Sequence, residues 1–171
     1  MRWLPFQLNP GMPKQGMPRA EYRKAKFGSL ERSRELDARV TAEGKNEGID
    51  FALDRIERTP NTSAAHQLIA VAADQNKVVD ALFRAYFEEA RDIGDPAVLD
   101  EIARRCGVDQ QARDISSLEE EVRVMGITAV PTFILERRTG IRGAHPPEHA
   151  GRPDPAGGTL APEHFDHKLH G

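Results

Sequence analysis

The clearest hydrophobic pattern lies in the middle of the chain, where apolar residues recur at helical spacing. One stripe consists of Ala65, Leu68, Ile69, Ala72 and Ala73. The next consists of Val79, Leu82, Phe83, Tyr86, Phe87 and Ala90, and the charged residues Asp80, Arg84, Glu88 and Arg91 fall on the other side. Residues three and four positions apart share one face of an α-helix, so the pattern predicts two amphipathic helices. Asn61 or Thr62 would cap the first of them.

Capping signals mark two further helices. Asp95-Pro96 is an N-cap followed by proline at the first helical position, and the helix it opens would turn these residues inward before stopping at Gly107: Val98, Leu99, Ile102, Ala103 and Cys106. Ser117-x-x-Glu120 predicts a capping box for a short helix ending at Gly126. Together with helices over 19–27 and 29–42, these elements predict a compact all-helical block.

Strand-like patterns stand on both sides of this block. Residues 3–8, Trp-Leu-Pro-Phe-Gln-Leu, predict a strand, with Pro5 suited to an edge or an end. Residues 132–135 predict the first strand of a hairpin, with a turn over 136–140 and a second strand over 141–144. Residues 145–158 are rich in Pro, Gly and His and predict an open loop, and 160–170 contain too few apolar residues for a convincing helix.

Pro131 stands between the helix end at Gly126 and the strand that starts at Thr132. A sheet accepts proline at the first position of a strand because the missing N–H leaves no gap in the ladder. A proline in this place is a candidate for a cis peptide bond, but only about 5–6% of X-Pro bonds in folded proteins are cis. The spacing alone therefore does not decide the isomer.

Composition narrows the possible classes of function. A chain of 171 residues predicts one domain, or one domain with a large insertion. A net charge of −3 with both signs interspersed predicts no nucleic-acid partner. The first residues contain no signal-peptide run, and no apolar stretch approaches membrane length. Cys106 is the single cysteine, so an internal disulfide is excluded and a reducing cytoplasm is the expected compartment.

A family resemblance rests on stretches spread in order over residues 2–148. These stretches are Trp3-Leu4-Pro5-Phe6-Gln7-Leu8-Asn9-Pro10; Asn61-Thr62 with Ala65-His66; Leu82-Phe83-Arg84-Ala85-Tyr86-Phe87; Asp92-Ile93-Gly94-Asp95; Gly126 with Val130-Pro131-Thr132-Phe133; and Gly143-Ala144-His145-Pro146-Pro147. On these stretches the chain resembles the DsbA-like thioredoxin-fold oxidoreductases, in particular the FrnE type, which lies near the 2-hydroxychromene-2-carboxylate isomerases. The resemblance implies a cis-proline loop at Pro131. It also implies that Val130, Pro131 and Thr132 bind substrate, with the backbone at Val130 pairing with an extended peptide.

Two departures from the family limit what the resemblance implies. The family begins with a strand that leads into a Cys-x-x-Cys, whose first thiolate attacks and whose second cysteine resolves the mixed disulfide; this sequence starts at what should be the second strand. No catalytic residue is therefore expected. The isomerase relatives place their catalytic residue in the same first loop, so the resemblance does not support isomerase activity either. The closing amphipathic helix of the family is replaced by residues 149–171. An absent first strand would leave two apolar strand edges unpaired, so we expect an N-terminally incomplete copy, or a strand from a second copy in the slot.

Other candidate residues favour structural roles. Cys106 lies near a helix C-terminus, where the helix dipole disfavours a thiolate, which favours a buried structural cysteine. His66 lies off the main apolar stripe, and this position indicates a polar contact or a solvated side chain rather than a catalytic role. His164, His167 and His170, with Glu163 and Asp166, have the spacing for a loose metal site on a segment that barely supports a helix. The apolar helices over 62–91 are explained by core packing rather than by a partner groove. No cofactor or metal is predicted.

These observations predict an α/β fold: a thioredoxin-like domain that lacks its first strand and helix and carries a large all-α insertion. Residues 1–18 and 127–148 would form the thioredoxin-like part, 19–126 the inserted helical domain and 149–171 a divergent tail. The resemblance implies DsbA-type thiol–disulfide oxidoreduction that this sequence cannot itself perform. The alternatives are a non-catalytic peptide-binding module and a glutathione-linked isomerase relative. The expected partner is an extended polypeptide or a small thiol, with a homodimer as an alternative, and neither nucleic acid nor membrane is expected.

Overall fold

The computed structural model describes residues 1–109, 114–135 and 139–143. Contacts within the chain divide it into two units. The first joins Met1–Trp3 to Asn9–Asp114, and the second joins Leu4–Leu8 to Ile115–Gly171. The second unit is therefore built from two stretches that lie far apart in the sequence.

The first unit is mostly helical. Its elements are β1 (Met17–Pro18), α1 (Arg19–Phe27), α2 (Leu30–Asn46), β2 (Arg58–Thr59), α3 (Ser63–Val71), α4 (Gln75–Phe83), a π-helical segment (Arg84–Glu88) and α5 (Pro96–Cys106). The short strands β1 and β2, which the sequence did not predict, pair antiparallel with Met17 opposite Thr59.

Helices α1 and α2 are joined by a tight turn. Gly28 has a positive φ of 86° at the end of α1, and the Ser29 hydroxyl accepts a hydrogen bond from the N–H of Arg32 at 3.1 Å to cap α2. Arg23 then bonds to the buried Ser33 hydroxyl at 2.7 Å and to the carboxylate of Asp37. The predicted end of this helix near residue 42 is too early, since α2 continues through Gly44 to Asn46.

The main core lies where α3, α4 and α5 pack together. Its buried residues are Ala65, Leu68, Val78, Ala81, Leu82, Ala85, Leu99, Ile102 and Ala103. Asp95 caps α5 as predicted, accepting from the N–H of Ala97 at 2.9 Å, and Asp74, which the sequence pattern did not single out, caps α4 by accepting from the N–H of Lys77 at 3.2 Å. Gly107 ends α5 in the left-handed conformation with φ 73°.

The predicted inward position of Phe83 is wrong, because its side chain is 55% exposed. The buried face of this helix carries Val78, Leu82 and Ala85, at ordinary helical spacing, and Phe83 lies outside that face. Two residues beyond the π-helical segment, Ala90 adopts a positive φ of 57°, and the N–H of Arg91 bonds back to the Ala85 carbonyl at 2.8 Å.

The second unit contains α6 (Ser116–Val124), β3 (Thr132–Leu135) and β4 (Thr139–Arg142). The two strands pair antiparallel with Phe133 opposite Ile141, so the second strand starts two residues earlier than predicted. The amide of Gln7 donates to the carboxylate of Glu119 at 2.6 Å. Helix α6 clusters with this unit, whereas the sequence pattern predicts a single inserted helical domain over 19–126.

Two predictions for this part of the chain are wrong. Residues 3–8 form no strand in the structure, because a strand needs a paired neighbour and no segment of the described ranges pairs with them. The capping box also fails, since α6 starts at Ser116, one residue before Ser117, and its N-cap residue Ile115 offers no side-chain bond. Glu120 instead binds the guanidinium of Arg123 through both oxygens at 2.6 and 2.7 Å.

Candidate peptide-binding site

A Schellman motif turns the chain from α6 into the loop before β3. Gly126 has a positive φ of 69°, its N–H bonds to the Arg123 carbonyl at 3.0 Å, and the N–H of Ile127 bonds to the Val122 carbonyl at 3.4 Å. Val122 and Ile127 are both buried, so the turn is anchored by apolar contact as well as by hydrogen bonds. Residues 128–131 are left exposed beyond this anchor.

The loop over 129–132 is held at both of its ends. The Thr132 hydroxyl donates to the Ala129 carbonyl at 2.7 Å, and the Pro131 carbonyl accepts from the N–H of Gly143 at 2.8 Å. The peptide bond between Val130 and Pro131 is cis, and the Val130 side chain is 53% exposed. The three residues predicted to bind substrate therefore lie together on an exposed and internally bonded turn.

The register of the hairpin fixes which main-chain groups of β3 face outward. Because Pro131 bonds across to Gly143, and because bonded pairs alternate every two residues in an antiparallel ladder, Phe133 and Leu135 direct their N–H and C=O groups toward β4. Thr132 and Ile134 direct theirs away from β4. Within the described ranges β3 pairs with β4 alone, so among those residues its second edge is open.

The side chains of this edge are apolar and partly exposed. Phe133 is 42% and Leu135 47% exposed on one face of the hairpin, while Thr132 and Ile134 are half-buried on the other. Residues 126–135 contain no titratable side chain. The arrangement offers hydrogen-bonding backbone groups and apolar surface, which suits recognition of an extended chain, and it offers no acid, base or nucleophile.

A family model for a DSBA-like thioredoxin domain matches residues 1–150 of this sequence. The chain belongs to the DsbA-like family. That membership establishes the thioredoxin-type fold, which is here mixed, rich in helix and poor in strands, and it associates the chain with a thiol–disulfide oxidoreductase family. Comparison with curated proteins gave no match.

The single thiol of this DsbA-like chain lies in the first unit, at the end of α5. Cys106 is half-buried against the core of α3, α4 and α5. Its Sγ lies 3.8 Å from the Lys77 carbonyl, and the Lys77 ammonium lies 3.4 Å from the Cys106 carbonyl. These contacts support the predicted structural role, although the residue is less buried than expected.

The other predicted candidates add no chemistry to the site. His66 is half-buried within α3 and also belongs to the first unit. The predicted motif of His164, His167 and His170 lies outside the described residues, as do 136–138 of the predicted turn and the tail over 149–171. Within the described ranges, no three His, Cys, Asp or Glu side chains are grouped so that they could hold a metal ion. None of the helices in those ranges is both long and apolar enough to cross a membrane.

Sequence reasoning missed two features. Ile134 shares the open edge with Thr132, and the signal that finds it is the two-residue alternation of the predicted hairpin. The first unit also has a recess of about 400 Å³ beside the π-helical segment, lined by Arg55, Ile56, Glu57, Arg58, Tyr86, Glu89, Ala90, Arg91 and Asp92. Arg58 and Arg91 in this recess are paired with Asp92 and Glu89 at 3.6 and 3.5 Å. Its charges are therefore largely balanced, and we assign it no ligand.

Proposed function

We propose that this chain is a FrnE-type member of the DsbA-like family that binds polypeptide in an extended conformation. The peptide would pair with the backbone of Val130 to Thr132 and continue along the open edge of β3. The observation on which the proposal rests is that open edge, lying next to an exposed turn. The FrnE assignment is supported by the stretches on either side of the helical block, Trp3-Leu4-Pro5-Phe6 and Val130-Pro131-Thr132-Phe133.

The edge supports binding through the backbone. An extended peptide added to a sheet edge gains main-chain hydrogen bonds, and adjacent side chains supply the selectivity. Thr132 and Ile134 provide the outward N–H and C=O groups, and Phe133 provides apolar contact beside them. Because no charged side chain lies in this segment, we expect uncharged, β-prone peptides to bind best.

Disulfide exchange requires more than these 171 residues supply. The reaction needs one thiolate to attack and a second thiol to resolve the mixed disulfide, and Cys106 is the only cysteine. We therefore propose that the chain binds substrate without exchanging disulfides by itself, and that any exchange uses a dithiol from outside this sequence. No observation in the described ranges favours the isomerase alternative.

A peptide with a blocked backbone tests the binding. The probe is a fluorescein-labelled peptide of alternating Thr and Val with terminal lysines, and the measurement is fluorescence anisotropy. N-methylation of the residues in one alternate phase should weaken binding roughly two- to tenfold for each hydrogen bond lost, and methylation in the other phase should leave it unchanged. Equal loss in both phases, or no binding of the parent peptide, would contradict the proposal.

An insulin-reduction assay with dithiothreitol tests the chemistry. We expect the chain to give the same rate as the reagent alone, and the Cys106→Ser variant to give that rate too. Catalysed turnover that disappears in Cys106→Ser would show that the single thiol is an active-site group and would overturn this part of the proposal.

A further inference from the structure

The side chain of Thr132 bonds back to the loop that precedes its own strand. Its hydroxyl donates to the Ala129 carbonyl at 2.7 Å. The Pro131 carbonyl is also occupied, because it accepts from the N–H of Gly143 at 2.8 Å. The two carbonyl groups on either side of Val130 are therefore both engaged by bonds within the second unit.

Val130 lies between these two bonds and differs from its neighbours. Among the described residues, its N–H and C=O have no hydrogen-bond partner, and its side chain is 53% exposed. A peptide can therefore bond to the main chain of Val130 without breaking an internal bond. Pairing with the carbonyl of Ala129 or of Pro131 would have to displace a bond that is already made, which costs free energy.

The bond from Thr132 orders the loop without supporting the core. The turn before the loop is already anchored by Ile127, which is buried, and residues 128–131 lie exposed beyond it. A hydrogen bond in such a place contributes little to global stability, because water can replace it. Losing the hydroxyl should therefore loosen the loop and leave the fold intact.

We propose that Thr132 is a positioning residue whose hydroxyl occupies the Ala129 carbonyl and so presents the main chain of Val130 to a bound peptide. The hydroxyl thereby sets the register of the peptide at this end of β3. Without it, the Ala129 carbonyl becomes a competing acceptor one residue away, and a slip of one residue turns every side chain of the peptide to the other face. This inference rests on the proposed function, since it concerns the same site.

Threonine variants measured with the fluorescein-labelled Thr and Val peptide provide the test. Thr132→Val removes the hydroxyl and keeps the branched shape, and Thr132→Ser keeps the hydroxyl. Thr128→Val is the matched control, because Thr128 is exposed in the same loop and lies outside the proposed peptide contact. Circular dichroism melts confirm that each variant is folded.

We expect Thr132→Val to bind the parent peptide roughly two- to tenfold more weakly, the equivalent of one hydrogen bond. The ratio between its affinities for the two phase-methylated peptides should also shrink, because the register is no longer fixed. Thr132→Ser and Thr128→Val should match the unaltered chain in both measurements. Full affinity in Thr132→Val, an undiminished ratio, or failure of Thr132→Ser to restore both values would each overturn the positioning role.

A measurement without peptide separates this inference from the proposed function. The NMR order parameter of the Val130 N–H reports motion on the picosecond to nanosecond timescale, and it should fall in Thr132→Val but not in Thr132→Ser. Normal peptide binding by Thr132→Val would overturn the positioning role and leave the proposed function standing. A hydroxyl-dependent order parameter in a chain that binds no peptide would overturn the proposed function and leave Thr132 as the residue that orders the loop.

Discussion

The side-chain amide of Gln75 bonds to the main chain of Trp3 through both of its polar atoms. Its Oε1 accepts from the Trp3 N–H at 2.9 Å, and its Nε2 donates to the Trp3 carbonyl at 3.5 Å. The indole N–H of Trp3 donates separately to Asn76 Oδ1 at 2.7 Å. The first residues of the chain are thus fastened to the start of α4 by side chains rather than by a strand ladder.

Removing this amide should release the first residues. We expect Gln75→Ala to speed amide hydrogen exchange at Trp3 and to lower the free energy of unfolding by about 0.5–1.5 kcal/mol. Trp3 is the single tryptophan, so its fluorescence reports the change directly. Asn76→Ala is the matched control, since it removes only the indole bond and should leave exchange at the Trp3 N–H slow. Equal exchange in both variants would show that the amide of Gln75 does not hold the segment.

Position 44 requires glycine because the ring of Phe51 packs directly against it, and not because the backbone there has a positive φ. A Cβ added at Gly44 would lie 2.5 Å from two carbons of the Phe51 ring. Helix propensity alone predicts that alanine would stabilise this position by about 1 kcal/mol, but the overlap should reverse the sign. We expect Gly44→Ala to destabilise the chain by about 1–3 kcal/mol, measured by urea unfolding.

A double-mutant cycle identifies the cause at Gly44. In a Phe51→Ala background only the Ile49 carbonyl, at 3.2 Å, stays close to the added Cβ, so the cost of Gly44→Ala should become much smaller. If the alanine destabilises both backgrounds equally, the ring is not the reason for the glycine.

Tyr86 should make the stability of the chain fall in alkaline solution. Burial raises the pKa of its phenol above the ordinary value, and the hydroxyl donates to the Arg58 carbonyl at 3.1 Å. The unfolded chain then loses its proton at lower pH than the folded chain. Stability is therefore complete below about pH 10, the ordinary phenol pKa, and decreases above it until the folded phenol ionises.

Urea unfolding across the alkaline range tests this for Tyr86. We expect Tyr86→Phe to flatten the alkaline decrease, and to lose about 1 kcal/mol at neutral pH with the hydrogen bond. In the Tyr22→Phe variant the phenolate absorbance reports Tyr86 alone, because the chain has two tyrosines. Ionisation of Tyr86 at or below the ordinary phenol pKa in that variant would contradict the prediction.

Ala90 occupies a backbone conformation that glycine adopts more easily. Its φ is 57°, and the left-handed region costs a residue with a Cβ about 1–2 kcal/mol. The methyl group recovers part of this by packing against Leu53, Ile56 and Tyr86. We expect Ala90→Gly to raise the free energy of unfolding by about 0.5–1 kcal/mol, whereas Ala85→Gly, at a fully buried helical position, should lower it. Similar losses in both variants would show that the methyl contact outweighs the strain.

Local sequence signals predicted the helices of the first unit well. The cap at Asp95 and the stop at Gly107 bound α5 as expected, because both act through bonds to residues within one turn. Ala65 and Leu68 are both buried in α3, as their helical spacing predicts. The family also followed from the sequence, since the matching stretches lie in order along residues that the family model covers.

The errors arose where structure depends on distant residues. Phe83 is exposed because α3 and α5 pack on the face of α4 that carries Val78, Ala81 and Leu82, and the hydrophobic pattern does not show where a helix meets its partners. Residues 3–8 have the composition of a strand but form none, because strand formation needs a neighbour and the pattern contains no information about one. Which edge of β3 is left open also depends on how the strands pair, and the sequence pattern does not show that pairing. The substrate-binding roles of Val130, Pro131 and Thr132, and the cytoplasmic compartment, stay predictions.

The order in which this protein can be completed during synthesis follows from its divided second unit. Leu4–Leu8 leave the ribosome long before the residues that cluster with them, which begin at Ile115, and the bond from Gln7 to Glu119 spans 112 positions. At about 5–20 residues per second, this early segment waits several seconds for its neighbours. During that interval the helical unit has most of its own sequence available, so it should form before the hairpin does.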